Sequence, residues 1–215
     1  MTLRAAVIDY DLGNLPSVAK ALERIGVSAT IVTSPDALAD GYDAMVFPGV
    51  GHFGAGARNL RDRGFDTAIK GWAEEGKPLL AICVGLQLLM ESSQEDPDER
   101  GLGVIAGGVR RLSRGDGLKI PHMGWNTLEV AGGTRIASAV AEGERAYFVH
   151  SYYVAPSDAG VVAATTTYGE AFCSVVEQDN VMGVQFHPEK SAEVGRRVLE
   201  SFFADATADF GVGRR

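Results

Sequence analysis

Hydrophobic residues follow two alternating patterns in the first half of the chain. Short apolar runs, the first of them rich in β-branched residues, occupy residues 4–9, 28–32, 43–48 and 78–83. After the first run, Leu15, Val18, Leu22 and Ile25 recur at helical spacing, and Gly26 follows where a helix would end. Strands that alternate with helices at these lengths predict a parallel sheet covered by helices on both faces.

Three further helices are predicted. Residues 58–76 have a helical pattern with Gly64 in its middle, and residues 85–93 have a second one. A last helix is predicted at about residues 192–203, and we expect residues from about 204 to 215 to form a frayed tail.

The second half of the chain changes character after Gly107. Short strand-like segments follow one another, and residues 174–177 and 181–186 around "QDN" predict a hairpin. No repeat and no dividing linker is present, so residues 1–215 are predicted to form a single domain. The predicted fold class is α/β: an open, mostly parallel sheet flanked by helices, with an additional antiparallel strand region in the second half.

Composition and charge narrow the range of functions. The formal net charge is −8, which argues against nucleic acid and anionic membranes as partners. The start meets Asp9 and Asp11 too early for a signal peptide, and no apolar run approaches the roughly 20 residues that span a bilayer. Two cysteines do not make a disulfide framework in a chain of this size, so we expect a reducing, cytoplasmic setting.

Cys83 interrupts the apolar stretch "PLLAICVGLQLLM" at residues 78–90. It stands at the predicted junction of a strand and a helix, with Ala81 and Gly85 two residues away on either side. Small neighbours at these positions are typical of a nucleophile elbow, a strained turn at the carboxyl edge of the sheet, and the N-terminus of the following helix favours a thiolate. The alternative is a buried structural cysteine.

A thiolate nucleophile needs a base, and the segment "VMGVQFHPEKS" supplies a candidate. His187 follows a predicted strand, and Glu189 comes two residues later, where its carboxylate can orient the imidazole. The alternative is an imidazole that is simply hydrogen-bonded at a strand end.

The stretch "VFPGVGHFGAG" has two interpretations. Gly49, Gly51 and Gly54 fit the spacing of a dinucleotide-binding loop, but Pro48 precedes them and the stretch does not belong to the first strand and helix. We favour an oxyanion hole, because glycines on both sides of Val50 let a peptide N–H point at a developing negative charge.

Taken together, these residues resemble those of the class I, triad-type glutamine amidotransferases, whose fold is flavodoxin-like. The resemblance rests on "PGVG", "AICVGLQLL" and "FHPEKS". A narrower resemblance, to the glutaminase subunits of imidazole glycerol phosphate synthases of histidine biosynthesis, rests on "IDYDLGNLPSV", "FPGVGHFGAG", "IPHMGWN" and "YFVHSYYV". Two residues depart from the usual pattern: Ala81 and Asp11 stand where glycine is common.

The resemblance implies a chemical role for each group. Cys83 would attack the carboxamide of L-glutamine, and His187, oriented by Glu189, would protonate the departing ammonia and then activate water. The N–H of Val84 and one from Val50 or Gly51 would hold the oxyanion. The residues implied to bind the substrate are Gly49, Gln87, Glu95, Ser151 and Tyr152.

The resemblance also implies a partner. This is a (β/α)₈-barrel cyclase subunit, bound as a heterodimer, which receives the ammonia and forms imidazole glycerol phosphate and an aminoimidazole carboxamide ribonucleotide. The residues expected to face it are Pro121, His122, Met123, Trp125 and Asn126. No cofactor and no metal site is expected.

The residues also allow other functions for the chain, and we expect three further Cys and His residues to have structural roles. The alternatives are an amidotransferase subunit of another synthase, a related α/β cysteine hydrolase, and a binding module that keeps the fold without the chemistry. We expect Cys173 to be structural, His52 to be a loop or interface residue, and His150 to support the backbone of the "HSY" segment.

Overall fold

The computed structural model describes residues 2–113 and 117–208. In this part of the chain the strands are β1 Arg4–Ile8, β2 Ser28–Val32, β3 Ala44–Gly49, β4 Leu79–Cys83, β5 Ser92–Ser93, β6 Gly107–Arg111, β7 His122–Thr127, β8 Glu129–Val130, β9 Arg145–His150, β10 Tyr152–Pro156, β11 Val162–Tyr168, β12 Glu170–Gln178 and β13 Val181–Val184. The α-helices are α1 Leu15–Arg24, α2 Phe53–Asp62, α3 Phe65–Glu74, α4 Val84–Leu88 and α5 Ala192–Ala208.

An eight-stranded sheet forms the centre of the fold, in the order β2-β1-β3-β4-β13-β12-β11-β8. In this sheet order, β2, β1, β3, β4 and β13 pair in parallel with their neighbours. From β13 onward, β13, β12, β11 and β8 pair antiparallel. Two smaller sheets, β10-β6-β5 and β7-β9, accompany it. The predicted fold class is therefore confirmed. β12 and β13 form the predicted hairpin, and β13 also joins the two halves of the sheet.

The apolar runs predicted as strands lie in the middle of the sheet. Every residue of β3 and β4 is buried, as are the last four residues of β1. Buried parallel strands need apolar residues on both faces, which explains the unbroken hydrophobic runs. Helix α1 buries Leu15, Val18 and Leu22, three of the four positions that predicted it, whereas Ile25 directly follows its last residue.

Three predicted helices have different bounds in the structure. Residues 58–76 do not form one helix: α2 and α3 are separated at Gly64, whose φ of +73° is a left-handed conformation that ends α2. Helix α4 ends at Leu88 because the chain then turns to pair with β6, where Glu91 N–H donates to the Gly107 carbonyl. Helix α5 continues to Ala208, and the rest of the expected tail, residues 209–215, lies outside the described residues.

The junction between β4 and α4 is closely packed against β3. A Cβ atom added at Gly85 would lie 2.0 Å from the carbonyl oxygen of Phe47, a backbone atom that cannot move aside. Glycine is therefore required at this position by the approach of the helix to the strand.

We predict that Gly85→Ala lowers the free energy of unfolding by about 2 kcal/mol or more, because the added methyl group forces the backbone apart. Urea unfolding measures the change. The control is Gly71→Ala in helix α3, where an added Cβ would meet nothing within 4 Å. Alanine has the higher helix propensity, so this variant should be neutral or stabilised. Equal stabilities for the two variants would contradict the prediction.

Candidate active site

The ends of three neighbouring parallel strands meet at one edge of the sheet. β4 lies between β3 and β13, with Gly49 opposite Cys83 and Val184 opposite Ile82. The chain leaves these strands at the 48–51 loop, at Cys83 and just before His187. The carboxyl edge of a parallel sheet is where α/β folds place their ligands. The three predicted catalytic segments therefore converge, although they come from distant parts of the chain.

The backbone of Cys83 has the conformation of a nucleophile elbow. Its φ is 54° and its ψ is −110°, which is rare for a residue with a side chain and costs about 1–3 kcal/mol. The thiol is free and largely buried, and it lines a cavity. Helix α4, which begins at the next residue, has five residues instead of the predicted nine, so its dipole contributes less to the thiolate than expected.

His187 and Glu189 form the predicted imidazole–carboxylate pair. Nδ1 of His187 lies 2.8 Å from Oε1 of Glu189, and both side chains are 2% exposed. The backbone of His187 is held firmly, because its N–H donates to the Tyr147 carbonyl and its own carbonyl accepts from the Ser191 hydroxyl. Nδ1 thus carries a proton directed at the carboxylate, and the ring is fixed in one orientation.

Opposing effects act on the protonation of His187. Burial by itself lowers its pKa, but the Cys83 sulfur and then the Glu189 carboxylate favour the charged ring and raise the pKa to about 10. Nε2 of His187 is buried and has no hydrogen-bond partner among the described residues. Glu189 therefore supports a positive charge on the ring, and a charged imidazole beside the sulfur can stabilise a thiolate when one forms.

The 48–51 loop forms another wall of the site. Gly51 has a φ of +101°, which explains the glycine, and Val50 is 36% exposed. The Glu95 carboxylate accepts from the N–H of Phe53 at 2.7 Å, in the first turn of α2. This contact joins the start of α2, which follows the loop, to residues 92–101, and Glu95 also lines the cavity.

A cavity of about 240 Å³ lies in front of Cys83 and His187. Its volume is below the range typical of drug-sized ligands, so it suits a small molecule. The predicted site residues that line it are Val50, Gly51, Cys83, Val84, Gln87, Glu95, Pro121, Ser151, Tyr152 and His187. Gly49 does not line it; a Cβ there would lie 2.4 Å from the Tyr10 hydroxyl and 2.6 Å from the Gly85 nitrogen, so packing requires this glycine.

Two residues near the sulfur had no sequence signal. The amide nitrogen of Gln185 lies 3.6 Å from the Cys83 sulfur, and Tyr10 has a buried hydroxyl without a hydrogen-bond partner among the described residues. Burial and then the charge of Cys83 raise the pKa of Tyr10, which keeps the phenol neutral. Gln185 lies in an apolar run and Tyr10 directly after a strand, where neither forms a recognisable pattern.

The residues expected to face a partner divide into two groups. Met123 and Trp125 are 64% and 43% exposed. His122, however, is buried and bonded to His150, and the Asn126 amide donates to the Thr167 carbonyl. His122 is therefore removed from the predicted contact surface, because alternate side chains of strand β7 point to opposite faces. Pro121 lies at the cavity.

The remaining structural interpretations agree with the fold. Cys173 is buried, and burial raises the pKa of its thiol to about 12. His52 begins α2, where its Nδ1 accepts from the Gly54 N–H, and His150 Nδ1 lies 2.9 Å from the Tyr152 carbonyl oxygen. Ala81 is not among the residues with positive φ, so its backbone does not require glycine, whereas Asp11 adopts a φ of 68° and pairs with Arg63.

Other features carry no chemistry that we can assign. A larger open cavity of about 790 Å³ follows edge strand β8, with Glu129 and Glu142 among its lining residues and no histidine or cysteine. Within residues 2–113 and 117–208, no cluster of three or more His, Cys, Asp or Glu side chains could hold a metal ion. None of the described helices combines the length and apolar character needed to cross a membrane.

Comparison with known proteins gives consistent matches. A family model described as glutamine amidotransferase class-I matches residues 6–206. An imidazole glycerol phosphate synthase subunit HisH from Aquifex aeolicus is 47% identical over 93% of this chain and 96% of its own length. The protein of that name from Halobacterium salinarum is 48% identical over 94% of this chain and 93% of its own length.

Solved structures show the same fold. The structure of PurLQS from Thermotoga maritima superposes with a TM-score of 0.75 at 26% identity, covering 95% of this chain and 99% of the matched chain.

We predict that the free energy of unfolding falls as the pH is lowered from about 6.5 towards 4. Burial lowers the pKa of His122 to about 4 and, helped by the charges of His122 and His187, that of His150 to about 3. Both rings are neutral in the folded protein but take up protons in the unfolded chain below its ordinary pKa of 6.5, so acid favours unfolding. The raised pKa of His187 acts in the opposite sense and costs no stability in this range.

Urea unfolding at several pH values tests this assignment. His122→Phe removes one of the two rings and can keep the stacking on Phe148 and Tyr168. The variant should lose less stability between pH 6.5 and 4 than the unmodified protein. The same loss in both proteins would show that His122 is not the group responsible.

Proposed function

Because this chain belongs to the class-I glutamine amidotransferase family, we propose that it is the glutaminase subunit of an imidazole glycerol phosphate synthase. The observation that carries the proposal is the convergence of Cys83 and His187 at one cavity, with Glu189 bonded to His187, in a chain nearly half identical to curated relatives over almost their whole length. The family match favours this activity over a cysteine hydrolase of another class and over a binding module without chemistry.

The reaction begins with the thiolate of Cys83, which attacks the side-chain carboxamide carbon of glutamine. His187, as the imidazolium, donates its Nε2 proton to the leaving amine, so ammonia departs and a glutamyl thioester remains. Neutral His187 then takes a proton from water, which attacks the thioester and releases glutamate and the thiol. Glu189 holds the imidazole in one tautomer throughout and stabilises its charged form.

The oxyanion of each tetrahedral intermediate needs donors that are already in place. Val84 follows the nucleophile directly and lines the cavity, and Val50 and Gly51 line it from the opposite loop. We assign the N–H of Val84 and one N–H of the 48–51 loop to this role. The loss of one such donor costs about 3 kcal/mol in the barrier in comparable sites.

The polar groups that line the cavity suit the amino-acid end of glutamine. They are Gln87, Glu95, Ser151 and Tyr152. A carboxylate can pair with the substrate ammonium group, and backbone groups of the "HSY" segment can fix its orientation. Gly49 is left out of this set because it only shapes the junction behind the loop.

The surface for a synthase partner is the exposed face of the ribbon formed by β7 and β9. Met123 lies opposite Val149 and Trp125 lies opposite Tyr147, so these four side chains share one face. Val149 also lines the catalytic cavity, which makes the apolar face continuous with the cavity mouth. A cyclase subunit docked there would receive ammonia away from water, where ammonia would otherwise be protonated and lose its nucleophilicity.

The chemistry of the site favours a reducing compartment. Cys83 and Cys173 are both free thiols, and oxidation of the nucleophile would stop the reaction. We therefore place the protein in the cytoplasm, bound to its cyclase partner as a heterodimer.

We predict that Cys83→Ala reduces glutamine-dependent synthase turnover to background but leaves turnover with added ammonium salts. The variant removes the nucleophile, whereas the cyclase subunit from the same organism can still take ammonia from solution. Product formation by the reconstituted complex is measured with each nitrogen source in turn. If both activities disappear together while the complex still forms, the role of ammonia donor is wrong.

We predict that Trp125→Ala weakens binding of the cyclase subunit by about 2 kcal/mol, roughly 30-fold in Kd, because exposed tryptophans at the centre of an interface are frequent hot spots. Isothermal titration calorimetry measures the affinity. The matched control is Ile31→Ala on the opposite edge strand β2, which is 43% exposed like Trp125. Equal affinities for the two variants would exclude Trp125 as an anchor.

A further inference from the structure

A continuous series of polar side chains, all buried except the partly exposed Asn126, connects strand β7 with the sulfur of Cys83. We refer to it as the polar chain; its members are Asn126, His122, His150, Gln87 and Gln185, together with the carbonyl group of Tyr152. His122, His150, Gln87 and Gln185 are all at most 6% exposed. The proposed reaction uses Gln87 in substrate binding and gives no role to the other four side chains.

The positions of the protons on the two histidines follow from their partners. His150 Nδ1 lies 2.9 Å from the Tyr152 carbonyl oxygen, which can only accept, so the proton is on Nδ1 and Nε2 is an acceptor. His122 Nδ1 lies 3.0 Å from that Nε2 and must therefore donate to it. His122 Nε2 is then an acceptor, and the Asn126 amide nitrogen, at 3.3 Å, donates to it.

The Tyr152 carbonyl accepts from both sides, and beyond it the donation towards Cys83 starts from Gln87. The amide nitrogen of Gln87 donates to this carbonyl at 2.8 Å and to Oε1 of Gln185 at 3.2 Å. With its oxygen occupied in this way, Gln185 turns its own amide nitrogen to the Cys83 sulfur at 3.6 Å. The backbone N–H of Gln185 is held by the Ser174 carbonyl at 2.9 Å.

Every member of the polar chain has one assigned orientation, and the last donor points at the nucleophile. From this geometry, and on the basis of the proposed glutaminase function, we propose that Gln185 is a further catalytic residue that donates a hydrogen bond to the Cys83 thiolate. Asn126, His122 and His150 are positioning residues, which act through the Tyr152 carbonyl and Gln87.

The buried position of the polar chain supports this assignment. An amide donor next to a sulfur in a dry environment stabilises the thiolate more strongly than it would in water, because hydrogen bonds to charged groups gain most where solvent is excluded. The series works only while both imidazoles are neutral, since a proton on His122 Nε2 would face the Asn126 amide hydrogens. The lowered pKa values of His122 and His150 keep them neutral at the pH of the reaction.

Alkylation of Cys83 by iodoacetamide tests the donor without substrate or partner. Gln185→Met keeps the length of the side chain and removes both its donor and its acceptor. At pH 7 the variant should be alkylated about tenfold more slowly, the effect expected for loss of a hydrogen bond to a charged group. The rate is followed by mass spectrometry of the Cys83 peptide from pH 6 to 9, where the slower rate should appear as a shift of the profile to higher pH.

The matched control is Gln178→Met, which changes a partly buried glutamine whose amide donates to the Val104 carbonyl. Its Cys83 should react as in the unmodified protein. If folded Gln185→Met follows the unmodified pH profile, the donor role of Gln185 is wrong. The assay involves neither glutamine nor a cyclase, so its outcome is independent of the test of ammonia supply by Cys83→Ala.

A pair of variants at His150 tests the role of the positioning residues. The same pair keeps the proposal testable if Gln185→Met does not fold. His150→Asn keeps an amide donor near the position of Nδ1, whereas His150→Phe keeps the size of the ring and loses the donor. We expect His150→Phe to be alkylated at least about threefold more slowly, and His150→Asn to recover most of this loss. Equal rates for His150→Phe and the unmodified protein, with both folded, would overturn the positioning role.

Discussion

The approach of helix α4 to strand β3 leaves no space for a side chain at Gly85, whose missing Cβ would lie 2.0 Å from the Phe47 carbonyl. Because the helix is so close, the chain must turn within one residue, and Cys83 takes the strained φ of 54°. This turn places the sulfur in front of the sheet instead of within it. Gly49 is held in the same junction against Gly85 and Tyr10, so the 48–51 loop begins from a defined position beside the sulfur.

Three buried histidines differ in the charge that their surroundings favour. Burial lowers the pKa of His122, His150 and His187 alike, because each charged ring would lose its hydration. Only His187 is next to a carboxylate and a thiol, and these neighbours reverse the effect of burial. His122 and His150 face each other, a carbonyl group and an amide, which suit neutral rings. Histidine thus serves in two ways: His187 is the catalytic base, and His122 and His150 remain neutral members of a series of hydrogen bonds.

The parts of the fold that the sequence predicted well are those set by local patterns. β1, β3 and β4 were recognisable because both faces of these strands are buried, and α1 because its buried residues recur at helical spacing. The prediction of one helix over residues 58–76 was wrong, because a glycine in a helical pattern can either continue the helix or end it. The predicted length of α4 was wrong because the end of this helix depends on pairing with β6, a strand about twenty residues away.

In the site, too, the contacts that the sequence predicted best are those that are local. Glu189 follows His187 by two residues, so their contact is local and visible in the sequence. His122 was expected on the surface, but the alternation of β7 turns it inward. Gln185 was missed because a single polar residue in an apolar run gives no indication of what it will face.

By itself, the sequence determined the order of strands and helices, the position of the nucleophile elbow and the residue types of the triad. These follow from steric and spacing rules that act over a few residues. Only the tertiary structure decided that Cys83 and His187, more than 100 residues apart, share a cavity, and which of the buried histidines carries a charge. Parallel pairing of β4 with β13 brings the two together, and the charge of an imidazole depends on the groups that surround it in space.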